Sequence, residues 1–304
     1  RKPFIDNGLL TEAGKGTAEA PYDLSRGGET ANCYIVDDHG YYSIPLFYGN
    51  ARGADGGVNT SAYLFDGVPD DETTRTLTSF VGHDNLPISS PEIQGAADAV
   101  LVWQDAPDLV TDIKLDGDRI VFRVDRETLT QGNAVIAVRN AEGAILWSWH
   151  IWATYYRWDG TADLPTHSKG ADGGKDYLFS PCNLGYCDPR KGDSARSIKL
   201  RFTFTLPDGT KKTVAIDKAF PQPEIIESMA GDNTYYQWGR KDPMLPGIYN
   251  PQVVAEAGED THYNMINKPY YKGAYEFCPG VSGVTLGDGI RNPYMFFMHG
   301  HTGS

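Results

Sequence analysis

The chain has 304 residues and a net charge of −13, with 40% hydrophobic and 12% aromatic residues. This length and composition indicate a folded chain with room for one large or two ordinary domains, and the 34 Gly, 19 Pro and 18 Tyr favour a loop-rich β protein. The acidic charge argues against a nucleic-acid partner, whose phosphates need clustered Lys and Arg. No apolar run reaches the ~18 residues of a membrane-spanning helix, so we predict no direct membrane span.

The chain opens with a segment of weak periodicity, and two strands follow it. Residues 1–27 carry Gly, Glu, Thr and Ser without a clear period, which predicts an extended lead-in. Residues 30–36 and 41–47 are rich in β-branched and aromatic residues, and the Asp-Asp-His-Gly sequence at 37–40 is a good turn. Pro45 is expected to place the second strand at a sheet edge or to end it.

Two hairpins are predicted in the middle of the chain. Residues 110–115 and 119–124 flank an Asp-Gly turn, and residues 133–139 and 144–152 flank a short loop that contains Gly. Alternation along the last of these strands places four large side chains on one face: Ile145, Trp147, Trp149 and Ile151. This face predicts the core of a β-sandwich or, alternatively, an exposed aromatic platform for a sugar.

His150 lies on the opposite face of the same predicted strand from Trp147 and Trp149, because strand side chains alternate. In that position the imidazole would be a hydrogen-bonded residue of the sandwich. The alternative is a general base.

Strands that recur about every ten residues, with turn signals between them, are typical of an immunoglobulin-like sandwich. We therefore predict an all-β fold: a lead-in at 1–27, an immunoglobulin-like β-sandwich at 28–158, and a second mostly-β, loop-rich domain at 159–304. Inside the second domain, residues 197–206 alternate apolar and polar side chains. That alternation predicts a half-buried antiparallel strand, paired with residues 213–217.

No catalytic signature is present, so we predict that the chain is not an enzyme. The sequence contains no phosphate-binding loop, no nucleophile elbow of the GxSxG type and no HExxH zinc helix. Cys182 and Cys187 are separated by four residues, which suits a local disulfide or two buried thiols better than a zinc site. We expect no metal site and no cofactor. A structural Ca²⁺ in one of the Asp-rich turns is the alternative left open.

The best candidates for ligand binding are aromatic side chains with polar neighbours. Rings that stack on sugar faces, together with a few polar groups, are what a glycan site needs. Packing between domains is the alternative explanation for the same residues. The first set follows the last central strand, and the second lies further along the chain: Tyr155, Tyr156 and Trp158, then Tyr235, Tyr236, Trp238, Arg240 and Asp242.

Several local patterns, in a fixed order, make the chain resemble a family of Bacteroidales cell-surface proteins grouped with fimbrillin-like pilus and tip subunits. The resemblance spans most of residues 28–298. Its matching pieces are residues 28–36, 41–50, 132–139, 147–152, 183–188, 196–202, 235–243 and 290–293. In relatives the Trp-Gly-Arg-Lys-Asp-Pro piece looks like the opening of a C-terminal domain with a C-type-lectin-like or formylglycine-generating-enzyme-like character. The resemblance therefore implies such a region from about residue 231, truncated here because the Pro/Cys-rich segment of relatives does not follow.

The resemblance implies export as a lipoprotein and display at the outer membrane on the cell surface. It also implies a non-enzymatic adhesin or pilus-tip-like subunit whose partners are other surface or pilus subunits, a host protein or a glycan. Family pilins assemble by donating a strand to a neighbour's sheet, which is β-augmentation. The alternatives are a surface glycan-binding lipoprotein for polysaccharide capture and a structural stalk module.

Overall fold

The computed structural model of the chain describes residues 4, 10–25, 28–64, 79–84, 86–156, 164–167, 174, 176–187, 196–220, 234, 236 and 243. Regular elements within these residues include a short 3₁₀ helix at Thr60–Ala62 and twelve strands. The strands are β1 (Tyr22–Asp23), β2 (Cys33–Val36), β3 (Gly40–Pro45), β4 (Asp98–Gln104), β5 (Thr111–Asp116), β6 (Arg119–Val124), β7 (Gly132–Arg139), β8 (Ile145–Ala153), β9 (Leu164–His167), β10 (Asp176–Phe179), β11 (Arg196–Thr205) and β12 (Lys211–Phe220). The prediction of an all-β fold is confirmed for the described part of the chain.

The first eight strands form two four-stranded sheets. One sheet has the order β1-β3-β6-β5 and the other the order β2-β8-β7-β4. Both predicted central hairpins are confirmed, because β5 pairs antiparallel with β6 and β7 pairs antiparallel with β8. The strands on either side of the turn at 37–40 lie in different sheets, since β2 pairs parallel with β8 whereas β3 pairs with β6 and β1. Pro45 is the last residue of β3, as expected.

A single cluster of buried side chains draws on both four-stranded sheets. Trp147, Trp149 and Ile151 of β8 are completely buried in it, which confirms that their face is core and not an exposed aromatic platform. Tyr42 of β3 stacks on Phe122 of β6 with ring centroids 5.7 Å apart, and both belong to the same cluster. β8 is buried on both faces, and the opposite face carries Ser148, His150 and Trp152. A one-residue slip would exchange the two faces, so the apolar character of the first face favours the observed register.

Gly40 is the first residue of β3 and has a φ of 137°. It lies close to the N-terminal segment at Lys15. A Cβ atom at this position would lie 1.7 Å from the Lys15 carbonyl oxygen, and the Lys15 N–H donates to the His39 carbonyl at 2.7 Å. We expect Gly40→Ala to lower the free energy of unfolding by about 3 kcal/mol, because both the backbone and the neighbouring chain must shift. Urea denaturation measures this loss.

Gly117 provides the matched control for that substitution. Its φ is 61°, but a Cβ atom there would meet nothing within 4 Å. Gly117→Ala therefore carries only the backbone penalty, about 1 kcal/mol. Equal losses for the two variants would contradict the close approach between Gly40 and Lys15.

Two compact units make up the chain. One comprises residue 1 with residues 188–230, and the other comprises residues 2–187 with residues 231–304. The smaller unit contains the β11–β12 ribbon, and the larger unit contains the two four-stranded sheets and the β9–β10 ribbon. The predicted domain boundaries at 27/28 and 158/159 remain predictions. None of the described residues belongs to a helix with the length and apolarity needed to cross a membrane.

The predicted burial of the 197–206 strand is wrong. Its antiparallel pairing is present, with Phe202 opposite Val214 and Leu200 opposite Ile216. All four of these side chains are exposed, however. Within the described residues β11 and β12 pair only with each other, so the alternation specifies a two-faced ribbon but not what covers its apolar face.

Candidate functional site

A groove of about 950 Å³ runs along β2 at the edge of its sheet. Its lining includes residues 29–35 together with Tyr156, Leu184 and Tyr236, and we call it the β2 groove. The groove thus joins an edge strand to aromatic side chains from two later parts of the chain. Such concave surfaces with convergent polar and aromatic groups are the usual places of ligand and peptide binding.

The outer edge of β2 presents main-chain hydrogen-bonding groups to this groove. The N–H groups of His150 and Thr154 donate to the carbonyls of Asn32 and Val36, both at 3.0 Å, which sets the phase of the parallel β2–β8 ladder. In such a ladder alternate residues bond to the same neighbour, so the N–H and C=O groups of Cys33 and Ile35 point away from β8. No described residue forms a hydrogen bond with these four groups. Among the described strands, they form an open sheet edge.

The side chains of β2 alternate between the core and the groove. Tyr34 and Val36 are buried in the hydrophobic cluster, whereas Cys33 and Ile35 are only partly buried and line the groove or its rim. Burial raises the pKa of the Cys33 thiol to about 12, against the lowering effect of its hydrogen bond with Tyr236. The thiol therefore stays protonated at neutral pH, and the groove holds no reactive thiolate at this position.

One end of the groove carries an ion pair. Lys15 Nζ pairs with the Asp37 carboxylate, and it also lies 5.4 Å from the centroid of the Tyr22 ring. Glu29 and Ser25 line the groove as well. Because Asp37 follows β2 directly, the charged pair borders the C-terminal end of the open edge.

His150 on β8 anchors a buried polar cluster next to the groove. Its Nε2 lies 2.8 Å from Asn133 Oδ1, and the Asn133 side-chain amide donates to the Gly185 carbonyl at 2.9 Å. That orientation of the amide leaves Oδ1 as the acceptor, so Nε2 of His150 carries the hydrogen. Its Nδ1 is then the acceptor for the hydroxyl groups of Tyr236 and Thr234, each of which lies 3.1 Å away.

The same cluster fixes the protonation state of His150. The imidazole is completely buried, and this burial lowers its pKa to about 3. The neutral ring has both nitrogens engaged in hydrogen bonds, which confirms the interpretation of His150 as a hydrogen-bonded residue of the sheet.

Hydrogen bonds hold the segment after β10 against the outer face of the β2-β8-β7-β4 sheet. The Trp152 indole N–H donates to the Tyr186 carbonyl at 3.0 Å, and Asn133 binds the neighbouring Gly185 carbonyl. These bonds position Leu184 in the β2 groove. Cys182 and Cys187, in the same segment, are not joined by a disulfide.

Three of the eight predicted ligand-binding residues lie in the described part of the chain, and two of them line the same groove. Tyr156 lines the groove and stacks on Trp152 with centroids 6.0 Å apart, and Tyr236 lines the same groove. Tyr155 is 39% exposed beside Phe4, with centroids 6.0 Å apart, and does not line it. The other predicted residues, Trp158, Tyr235, Trp238, Arg240 and Asp242, lie outside the described residues.

The open edge of β2 was not among the predicted site residues. Residues 33 and 35 belong to a predicted strand, but their position at a sheet edge depends on pairing with β8, more than a hundred residues later. The sequence offers one signal, since β2 is short and borders a charged turn, and such features are common at edges.

Among the described residues, no group of three or more His, Cys, Asp and Glu side chains is placed to hold a metal ion. Comparisons of this chain with protein-family models, with curated proteins and with solved structures find no match.

Proposed function

We propose that this chain is a non-enzymatic adhesin or pilus-tip-like subunit of the bacterial cell surface, which binds an extended segment of a protein partner along β2. The observation that carries the proposal is the open edge itself, where the N–H and C=O groups of Cys33 and Ile35 face a groove of about 950 Å³. An added strand would pair with these groups, which is β-augmentation. The resemblance to fimbrillin-like proteins supports display at the outer membrane as an exported lipoprotein, with other surface or pilus subunits as partners.

In the proposed architecture, β2 is an edge strand of a β-sandwich. We propose that the two four-stranded sheets form an immunoglobulin-like β-sandwich, since they share one buried cluster and consist of short strands joined by turns. The second, mostly-β domain with a C-type-lectin-like region from about residue 231 belongs to the same proposal. In a sandwich an unpaired edge strand is the natural place for a further strand to join.

The chemical groups at the groove support binding over catalysis. The Cys33 thiol is protonated at neutral pH because burial raises its pKa, and the neighbouring His150 is a neutral ring with both nitrogens occupied. Besides the charged side chains at one end, the groove offers a ligand main-chain donors and acceptors, the apolar side chain of Leu184 and the ring of Tyr156. These groups suit a polypeptide strand, in which main-chain bonds supply affinity and alternate side chains supply specificity.

Ile35→Pro tests the proposal. The Ile35 N–H points away from β8, so proline removes a donor from the groove but leaves the β2–β8 ladder intact. We expect labelled Ile35→Pro protein to bind the surface of the producing bacterium at least ~10-fold more weakly than the wild type. Flow cytometry measures this binding, and thermal unfolding checks that the variant is folded.

Ile35→Val is the matched control, because it keeps the N–H and a similar β-branched side chain. It is expected to bind within a factor of about two of the wild type. If Ile35→Pro binds as well as Ile35→Val while both are folded, strand addition at β2 is wrong.

Glycan capture is the second candidate, favoured by the two Tyr side chains that line the groove. Tyr156 and Tyr236 are placed where a sugar could stack, beside polar groups of residues 29–32. In that case binding to cells would survive Ile35→Pro and would be competed by free polysaccharide. Protein-partner binding predicts the opposite on both counts.

A further inference from the structure

The β11–β12 ribbon carries an apolar face whose described side chains are exposed. Leu200 opposite Ile216 and Phe202 opposite Val214 share that face, since directly paired residues of an antiparallel ladder lie on the same side. Phe204 extends it, and Phe202 and Phe204 stack with centroids 6.3 Å apart. All five side chains are 43–54% exposed. Contiguous exposed apolar surface of this kind marks an interaction site.

The ribbon also lacks further strands to support it among the described residues. A two-stranded hairpin is at best marginally stable in water and needs a covering layer on its apolar face. Covering these five large side chains would stabilise the ribbon, because burial of apolar surface is favourable in proportion to the area removed from water.

The charge of the ribbon indicates what kind of surface would cover its apolar face. Residues 196–220 contain six basic and two acidic residues, a net charge of +4 in a chain whose net charge is −13, so the remaining residues carry −17. One of the basic residues, the exposed Lys212, lies opposite Phe204 at the end of the apolar face. Two ribbons packed face to face would bring like charges together, which disfavours a symmetric ribbon pair. An acidic surface is the complementary partner.

We propose that the apolar face of the β11–β12 ribbon docks on the acidic larger unit of a second copy of this chain. The contact is heterologous, ribbon to body, because the two complementary charges lie in different parts of the same sequence. Repetition of such a contact builds a ring or an open chain of copies. The ribbon shares no residue with the β2 groove, so this proposal and strand addition at β2 stand or fall separately.

Sedimentation velocity of the intact chain tests the proposal, over about 1 to about 100 µM, a range suited to weak interfaces. We expect concentration-dependent association at about 50 mM NaCl that weakens at least ~10-fold at about 500 mM, because salt screens complementary charges. Lys212→Glu is expected to weaken association at least ~10-fold more than Arg201→Glu. Both substitutions change the net charge equally, but Arg201 lies on the other face of the ribbon, opposite Ala215.

Three results would overturn the proposal. The first is a monomer at every concentration, which would place the covering surface within the same copy or on another molecule. The second is an equal effect of Lys212→Glu and Arg201→Glu, which would show that association depends on net charge and not on the apolar face. The third is binding to phosphatidylglycerol vesicles without self-association, which would identify a lipid surface as the partner. Circular dichroism of each variant confirms folding before the comparison.

Discussion

Replacing Trp149 with Ala is expected to lower the free energy of unfolding by about 3–5 kcal/mol. Trp149 is completely buried in the cluster shared by both four-stranded sheets, and its strand, β8, lies between β2 and β7. Loss of the ring removes its apolar burial and leaves a cavity between neighbours that relax only partly. A loss of this size is a large fraction of the stability of a typical domain, and it is measured by urea denaturation of the intact chain.

Two variants make this prediction specific. Leu101→Ala, in β4 of the same sheet, removes a side chain that is already exposed and is expected to cost less than about 1 kcal/mol. Trp149→Phe is expected to cost much less than Trp149→Ala, because the indole N–H has no hydrogen-bond partner among the described residues. Losses from Trp149→Ala no larger than those from Leu101→Ala would contradict a shared core.

His150 is expected to make stability depend on pH between about 4 and 6.5. An unfolded chain binds a proton on His at pH values below about 6.5, whereas burial holds the folded pKa at about 3. The unfolded state therefore binds more protons in this window, so stability rises with pH through it and is lost as pH falls. The slope is about 1.4 kcal/mol per pH unit in the middle of the window, with no further change above about pH 7.

His150→Gln isolates this effect from other titrating groups. Glutamine does not ionise, and its side-chain amide can donate to Asn133 Oδ1 as the His150 Nε2–H does. The difference in unfolding free energy between wild type and variant is therefore expected to grow from pH 4 to pH 6.5. Parallel curves over this range would show that the imidazole is not buried and neutral in the folded chain.

Local patterns predicted the central strands, several of which show their own alternation, but did not predict β1, β9 or β10. In β8 the spacing of Trp147, Trp149 and Ile151 was enough to identify the buried face, and their complete burial bears this out. The sequence at 37–40 predicts a turn; residues 37–39 separate β2 from β3, and these two strands join different sheets. Turn residues specify a reversal of the chain, whereas the choice of pairing partner depends on distant strands such as β8.

The candidate site was predictable only in part for the same reason. Tyr156 and Tyr236 stood out as aromatic residues with polar neighbours, and the structure places both in the β2 groove. The open N–H and C=O groups of Cys33 and Ile35 are signalled only by a short strand beside a charged turn, because an edge is defined by the absence of a neighbouring strand. For β11 the sequence predicted a buried apolar face, but that face is exposed. Alternation indicates that a strand has an apolar face, not whether another element covers it.

The most direct test of the central claim is photo-cross-linking in the producing bacterium, with p-benzoylphenylalanine in place of Ile35. This position lines the β2 groove, so the account predicts a covalent adduct with another surface protein. The control places the same group at Leu101, exposed on β4 at the opposite edge of the same sheet, where that adduct is not expected. No adduct from position 35, or identical adducts from both positions, would contradict strand addition at β2.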